Sequence, residues 1–294
     1  MPETLDQYME QKKQMIYEEM RRYLAHTQIP NQLRESMLYS IEAGGKRLRP
    51  ILLTASYETY HNEPEKVLSV AIALEMIHTY SLIHDDLPSM DDDDYRRGRL
   101  TNHRVFDEAT AILAGDALLT YSFEIIAGDR SLTDVQKTTI MRMLAKASGP
   151  KGMVAGQTLD MKAEDHVITL EELEDIHTRK TGGLIRFAVK AGAYVGGAAD
   201  YQLKHLDEFA HLLGLIFQVQ DDILDVIGDE EKLGKPVGSD ETNHKSTYPG
   251  LLGLDGAKAR KANYTDKAKA ALKAADAEDS YLMLLTNYFS SRDH

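Results

Sequence analysis

Six aspartates, Asp85, Asp86 and Asp91 to Asp94, fall within ten residues of this chain, inside the stretch EMIHTYSLIHDDLPSMDDDDYRRG from Glu75 to Gly98. A run of like charge ordinarily belongs to a solvated face. Here Ile77, Leu82, Ile83, Leu87 and Met90 thread through it, and Arg96 and Arg97 follow at once. A half-buried stretch keeps so many carboxylates together only beside cations. The pattern points to a metal site, with two arginines at hand for an anion that the metal also binds.

The rest of the composition narrows the field. A net charge of -13 over 294 residues argues against nucleic acid or an anionic membrane as the main partner. It leaves small anions open, because a bound metal inverts the local charge. The absence of cysteine removes disulfides, thiolate zinc sites and cysteine nucleophiles. The opening residues MPETLDQYMEQKKQ lack an apolar leader, and the longest apolar runs are short, such as Leu212 to Phe217. The expectation is a cytoplasmic protein without a membrane span.

Apolar residues recur at helical spacing almost throughout. Helices are expected over Asp6–Ala25, Gln32–Ala43, Ile51–Tyr60, from Pro64 towards Asp85, Asp107–Ala127, Thr133–Ala147 and Gly152–Asp165. A further helix starts at Thr169, where Thr169 and Glu172 form a capping box. It runs to His177 and continues, bent, through Lys180-Thr181-Gly182-Gly183 to Ala193. Tyr201–Ile227, a short helix after Pro249, Gly256–Ala275 and a last one to Arg292 complete the series. Glu230–Tyr248 reads as a polar loop. No stretch alternates with period two, no hairpin signal appears, and no Ser/Gly/Pro-rich linker divides the chain. The reading is one all-α domain of ten or so helices over residues 1–294.

A second acidic motif, Asp221-Asp222-Ile223-Leu224-Asp225, lies 136 positions after Asp85. Asp221 and Asp225 are four apart on a well-patterned helix and share one face. Asp85 and Asp91 would lie on different faces of a straight helix, so Pro88 must reshape the backbone if both are to bind one metal cluster. Carboxylates without His or Cys favour hard cations. Magnesium held by a few carboxylates keeps waters and recruits phosphate oxygens. Two carboxylate walls facing one cavity could therefore hold a diphosphate between several ions. Lys46, Arg49, Arg96, Arg97, Lys180 and Lys235 supply the cations that such an anion needs.

Taken in order, these motifs resemble the trans-isoprenyl diphosphate synthase family, and bacterial farnesyl diphosphate synthases most of all. Gly44-Gly45-Lys46-Arg47-Leu48-Arg49-Pro50 is similar to the family's homoallylic-substrate motif, and DDLPSMDDDDYRRG to its first aspartate-rich motif. Lys180-Thr181-Gly182 resembles the Lys-Thr segment. Phe217-Gln218 with Asp221, Asp222 and Asp225 resembles the second aspartate-rich motif, and Gly234-Lys235 with Asp240–Pro249 the loop behind it. The likeness extends from about Ile41 to Arg292. It departs at Gly183, where Ala is common, and at His244, where Gly is common.

The resemblance implies a helical bundle of the isoprenoid synthase type with a central active-site cavity. It implies three Mg²⁺ ions, held by Asp85 and Asp91 on one side and Asp221 on the other, with Asp86, Asp92, Asp222 and Asp225 in support. Arg96, Lys180 and Lys235 would hold the allylic diphosphate. Lys46, Arg49, His78 and Arg97 would hold isopentenyl diphosphate, with Lys245 also at the substrate. Thr181 and Gln218 would aim oxygen dipoles at the developing allylic cation. Tyr80 and Ser81, just ahead of the first motif, would floor the chain-elongation pocket, so the product expected is farnesyl diphosphate (C15) rather than C10 or C20. The family also implies a homodimer, with Asp107–Ala127 as the candidate interface.

Other readings carry less. His84 beside Asp85 could suggest a metal-dependent HD phosphohydrolase, but no further histidines fit. A terpene cyclase would replace the second motif with an Asn/Ser/Glu set and lack Lys46 and Arg49. A non-catalytic subunit would lose aspartate motifs. Both motifs stand here.

Overall fold

The computed structural model describes residues 4–61, 63–164, 166–228 and 246–292. Lys235 and Lys245, with Gly234, Asp240 and His244, lie outside the described residues. The chain divides into two compact units: residues up to Thr54 with Glu63–Met141, and Ala55–His61 with the residues from Arg142 on.

In the first unit, α1 (Leu5–His26) opens on a capping box between Thr4 and Gln7. Helix α2 (Asn31–Glu42) stops at Gly44 and Gly45, both in left-handed conformations (φ +88° and +115°) that suit a residue without Cβ. Helix α3 (Leu48–Glu58) starts three residues earlier than the periodicity predicts. Pro50 fits there because the first turn of a helix leaves its N–H groups unused. After a 3₁₀ turn at Pro64–Val67 comes α4 (Leu68–Asp85), apolar on nearly every side and buried as such a helix must be. Helix α6 (Glu108–Gly128) packs against it. Gly115 provides the notch: a Cβ there would fall 2.1 Å from His84 Nε2. By length and hydropathy alone α6 matches a bilayer span. Its inner residues Ala111, Ala114, Leu118 and Ile126 are fully buried in the protein, and its outer face carries Asp116 and Glu124.

Two features of this unit depart from the sequence reading. Tyr95–Arg96 (β1) and Arg99–Leu100 (β2) form a small antiparallel hairpin, with Tyr95 opposite Leu100 and Arg96 opposite Arg99. Arg97 and Gly98 turn it with φ of +55° and +74°, the left-handed pair of a type I′ turn. Two residues per strand are too few to register as alternation. The short α5 (Asn102–Val105) also lacks a periodic signal and is held instead by polar contacts. Asn102 Nδ2 donates to the Ser36 carbonyl at 2.9 Å, and Ser36 Oγ donates to Asn102 Oδ1 at 2.8 Å.

Helix α7 (Asp134–Ser148) begins in the first unit and ends in the second, which also contains α8 (Met153–Ala163), α9 (Leu170–Lys180), α10 (Gly182–Gly196), α11 (Asp200–Ile227), α12 (Tyr248–Ala274) and α13 (Tyr281–Ser291). The capping box at Thr169 and Glu172 is present. The expected bend is a break at Thr181. Small residues bring the helices together around it. A Cβ at Gly156 of α8 would fall 2.2 Å from the Lys180 nitrogen, and one at Gly214 of α11 would fall 3.1 Å from the Gly182 Cα. The same crowding accounts for Gly183, where a Cβ would lie 2.9 Å from the Ala147 carbonyl oxygen. Helix α12 joins two expected helices across a kink at Gly253 (φ +71°). Beyond the hairpin, the described residues are helices, turns and loops.

Candidate functional site

In the first unit, α4 ends at Asp85 and the chain turns back. The Asp91 N–H donates to the Asp85 carbonyl at 2.9 Å, and the Asp92 N–H donates to the Leu87 carbonyl at 3.1 Å. Pro88 sits inside this turn and cannot continue the helix. The reshaping that the sequence required is therefore present, and Asp91 is returned to the helix end that carries Asp85. Carboxylates at a helix C-terminus oppose the macrodipole, and a cation there is favoured. Asp86 differs from its neighbours. It is buried, and Arg96 Nε donates to its Oδ1 at 2.5 Å. Burial pushes its carboxyl up to about 6, with Arg96 only partly offsetting this. Asp93 lies 3.4 Å from Arg96, and Asp94 pairs with Arg104 at 3.0 Å. The six aspartates thus divide into a turn-linked pair, a buried anchor for Arg96, and outer residues, of which Asp93 meets Arg96 of the hairpin and Asp94 meets Arg104 of α5.

The basic loop lies in the same unit. Arg47 (φ +51°) turns inwards to a buried ion pair with Glu75 at 2.6 Å and also donates to the Ile41 carbonyl. Arg49 Nη1 lies 3.1 Å from His78 Nε2. Burial holds His78 well below the ordinary imidazole range, and Arg49, Arg97, Arg47 and Arg96 depress it further. A neutral histidine against Arg49, with three more arginines near enough to act on it, marks a place suited to an anion. Arg97 lies across the glycine loop and donates to the Gly44 carbonyl. Glycine suits the next position, Gly45, because its φ of +115° is one that side chains rarely adopt, and a Cβ there would also displace Arg97 Nη1, 2.5 Å away. Lys46 is half-buried in this loop.

Tyr80 is buried on α4 and meets His84 edge-on, with ring centroids 5.7 Å apart. Ser81 Oγ donates to the His78 carbonyl of its own helix. His84 Nε2 contacts the Ile112 carbonyl at 3.0 Å and fills the notch at Gly115. Its Nε2 is thus engaged in packing, which gives the HD phosphohydrolase reading no support.

In the second unit, a cavity of about 260 Å³ is lined by Asp160, His177, Lys180, Thr181, Gln218 and Asp221 among others. Lys180 Nζ donates to Asp160 at 2.5 Å. Gln218 Nε2 lies 3.3 Å from His177 Nδ1. Asp221 lies two turns before the C-terminus of α11, and a cation is present at its side: the Arg292 guanidinium pairs with Asp221 Oδ1. Asp222, expected in support of the metal, has a structural partner as well. Its buried carboxylate accepts the Tyr248 N–H at 2.8 Å and caps α12. Asp225 is buried. Sequence reasoning did not single out Asp160, nor Arg292 as the partner of Asp221. Their partners lie 20 and 71 positions away, beyond any local pattern. His177, one helical turn before Lys180, was within reach of the 3.6-residue period.

Among the described residues no three His, Asp or Glu side chains converge into a complete metal cage. Magnesium does not need one, because a few carboxylates and phosphate oxygens suffice. In the first unit the turn-linked Asp85 and Asp91 at a helix C-terminus suit such an ion, and in the second Asp221, drawn to a guanidinium, is a carboxylate of the same kind.

The buried groups set a pH dependence for the metal-free protein. His78 and His177 are held below their unfolded value, His177 at about 4, both mainly by burial, while Asp86 is raised to about 6. Between pH 7 and 5 the unfolded chain gains two protons that the native histidines refuse, and the native chain gains one at Asp86. The net proton favours unfolding, and His211, also held down mainly by burial, adds in the same direction, so stability falls with pH by about 1.4 kcal/mol per unit or somewhat more. A urea midpoint that rises on going from pH 7 to 5 would contradict this balance.

Acidic residues at a helix end beside clustered arginines, on an almost wholly helical chain, are the combination that suits a divalent cation and a phosphorylated ligand. The family is more definite: residues 30–283 match the Polyprenyl synthetase family, and the chain belongs to it. It is 50% identical over 293 residues to the farnesyl diphosphate synthase of Geobacillus stearothermophilus, covering 99% of both chains. It is 46% identical to that of Bacillus subtilis (strain 168), covering all of both. Among solved structures, the geranylgeranyl pyrophosphate synthetase of Pyrococcus horikoshii superposes with a TM-score of 0.87 at 30% identity, over 99% of this chain and 100% of the other.

Proposed function

We propose that this protein is a Mg²⁺-dependent trans-prenyltransferase that condenses isopentenyl diphosphate with dimethylallyl and then geranyl diphosphate to give farnesyl diphosphate. The observation that carries the reading is the 50% identity to a farnesyl diphosphate synthase along 99% of both chains. The Asp85–Asp91 turn and the arginines about His78 support it. Asp85, Asp91 and Asp221 would hold the magnesium, which when bound supplies charge neutralisation to the departing diphosphate.

The residues divide the work by charge. Arg96 and Lys180 hold the allylic diphosphate, together with Lys235. Lys46, Arg49, His78 and Arg97 hold isopentenyl diphosphate, and Lys245 assists. The allylic C–O bond breaks with its electron pair leaving on the diphosphate. Oxygen dipoles of Thr181 and Gln218 stabilise the carbocation, and the double bond of isopentenyl diphosphate attacks it. A proton then passes to the released diphosphate, so no protein base is required. This chemistry needs both aspartate motifs at one diphosphate, and on that ground the chain is proposed to work as one domain.

Incubation with Mg²⁺, radiolabelled isopentenyl diphosphate and dimethylallyl diphosphate should give a labelled C15 product on chromatography. No condensation product would defeat the reading. We further propose that Tyr80 sets the chain length as an aromatic stop. Tyr80→Ala is expected to shift the main product from C15 to C20 or longer, and an unchanged C15 product would remove Tyr80 from that role. A cytoplasmic homodimer is proposed, joined through α6, whose Ile112 and Leu113 are exposed. Gel filtration at monomer mass would refute the dimer.

A further inference from the structure

His177 has no task in the reaction as proposed, yet it lines the cavity that holds Lys180, Thr181, Gln218 and Asp221. Its ring stacks on Tyr248, with centroids 5.8 Å apart and planes 14° from parallel. Its Nδ1 faces the amide nitrogen of Gln218 at 3.3 Å. An amide group has a donor end and an acceptor end, and a neutral imidazole has one nitrogen of each kind. With the Gln218 NH₂ donating, Nδ1 accepts and the ring proton resides on Nε2. Nε2 is buried and has no hydrogen-bond partner among the described residues. The other tautomer would call for the opposite end of the amide and would draw the Gln218 oxygen onto the ring.

We propose that His177 is a positioning residue whose neutral Nδ1 holds the NH₂ end of Gln218, so that the Gln218 oxygen and not its nitrogen meets the developing allylic cation. The inference rests on the role given above to Gln218. A donor pointed at a carbocation would repel it, whereas a carbonyl oxygen stabilises it, so the choice of amide end bears on the rate more than on substrate binding. Burial keeps His177 neutral down to about pH 4, so the accepting nitrogen persists through the working range.

The test compares two substitutions with Mg²⁺, geranyl diphosphate and isopentenyl diphosphate. His177→Phe keeps a ring against Tyr248 and removes the acceptor, while His177→Asn offers an acceptor again. His177→Phe is expected to lower kcat about tenfold with KM for isopentenyl diphosphate within about twofold, and His177→Asn to recover most of it. In a Gln218→Leu background, His177→Phe should add less than about twofold, because no amide remains to be oriented. A full tenfold loss in that background would overturn the proposal. Nitrogen-15 spectra of the imidazole read the tautomer without any turnover. The proton is expected on Nε2, and a proton on Nδ1 would overturn the proposal independently. If Gln218→Leu alone leaves kcat unchanged, the role of Gln218 falls and the orienting role with it, while the spectra still report the state of His177 itself.

Discussion

Asp85→Asn is expected to lower kcat by about 10²- to 10³-fold, whereas Asp94→Asn should leave it within about twofold. The reason lies in how the turn after α4 sorts its carboxylates. Asp85 closes the helix, Asp91 is returned to it by a 2.9 Å backbone hydrogen bond, and both stand where the dipole favours a cation. Asp94 spends its charge on Arg104 at 3.0 Å, an exposed pair that contributes little. Asp86→Asn belongs between them, because it loosens Arg96 without removing a metal ligand. Single-turnover rates at saturating Mg²⁺ and substrates would read the chemical step. Equal losses at Asp85 and Asp94 would mean that the run acts as a continuous acidic patch and not as a pair with supports.

Arg47→Met should cost about 3–5 kcal/mol of stability, the largest structural penalty expected in the basic loop. Arg47 and Glu75 form a buried pair at 2.6 Å, with side chains only 3% and 2% exposed. Removing the guanidinium strands the Glu75 carboxylate in an apolar helix and frees the Ile41 carbonyl. The charge desolvation that makes the single change expensive also makes the double change mild. Arg47→Met with Glu75→Leu should recover most of the loss, since apolar residues of similar size can replace a buried pair. Denaturant midpoints of the two variants give the comparison. If Arg47→Met shifts the midpoint no further than a surface substitution does, the pair is not holding the loop. Arg47 would then rank with Lys46 and Arg49 as a residue for ligands.

The contrast between Arg47 and Arg49 shows where reading the sequence stops. The helices from α1 to α13 were mostly legible because burial on one face imposes a 3.6-residue period. The aspartates and the Lys-Thr segment were legible because chemistry fixes residue type and spacing. The resemblance also separated Lys46 and Arg49 from Arg47, although nothing in their local order says which turns inwards. That choice is made at Arg47 by a positive φ and by Glu75 on another helix. Asp222 carries the same lesson, since the neighbour of a proposed ligand proves to cap α12 across 26 positions. The hairpin was invisible for a different reason. Two residues per strand carry no period, and Arg97-Gly98 turns without the Asn or Asp that usually announces a type I′ turn.

The seat that Gly45 leaves for Arg97 has a thermodynamic consequence. Arg97 is rooted in the hairpin that follows the aspartate turn, and its guanidinium rests on the carbonyl of Gly44 in the basic loop. Two segments that are about 50 positions apart in the chain therefore share one strut. A ligand that draws Arg97 off that carbonyl loosens the glycine loop, and a ligand that reorders the loop withdraws the seat. Linkage makes such an influence reciprocal, so whatever factor one ligand imposes on the affinity of the other is returned in equal measure.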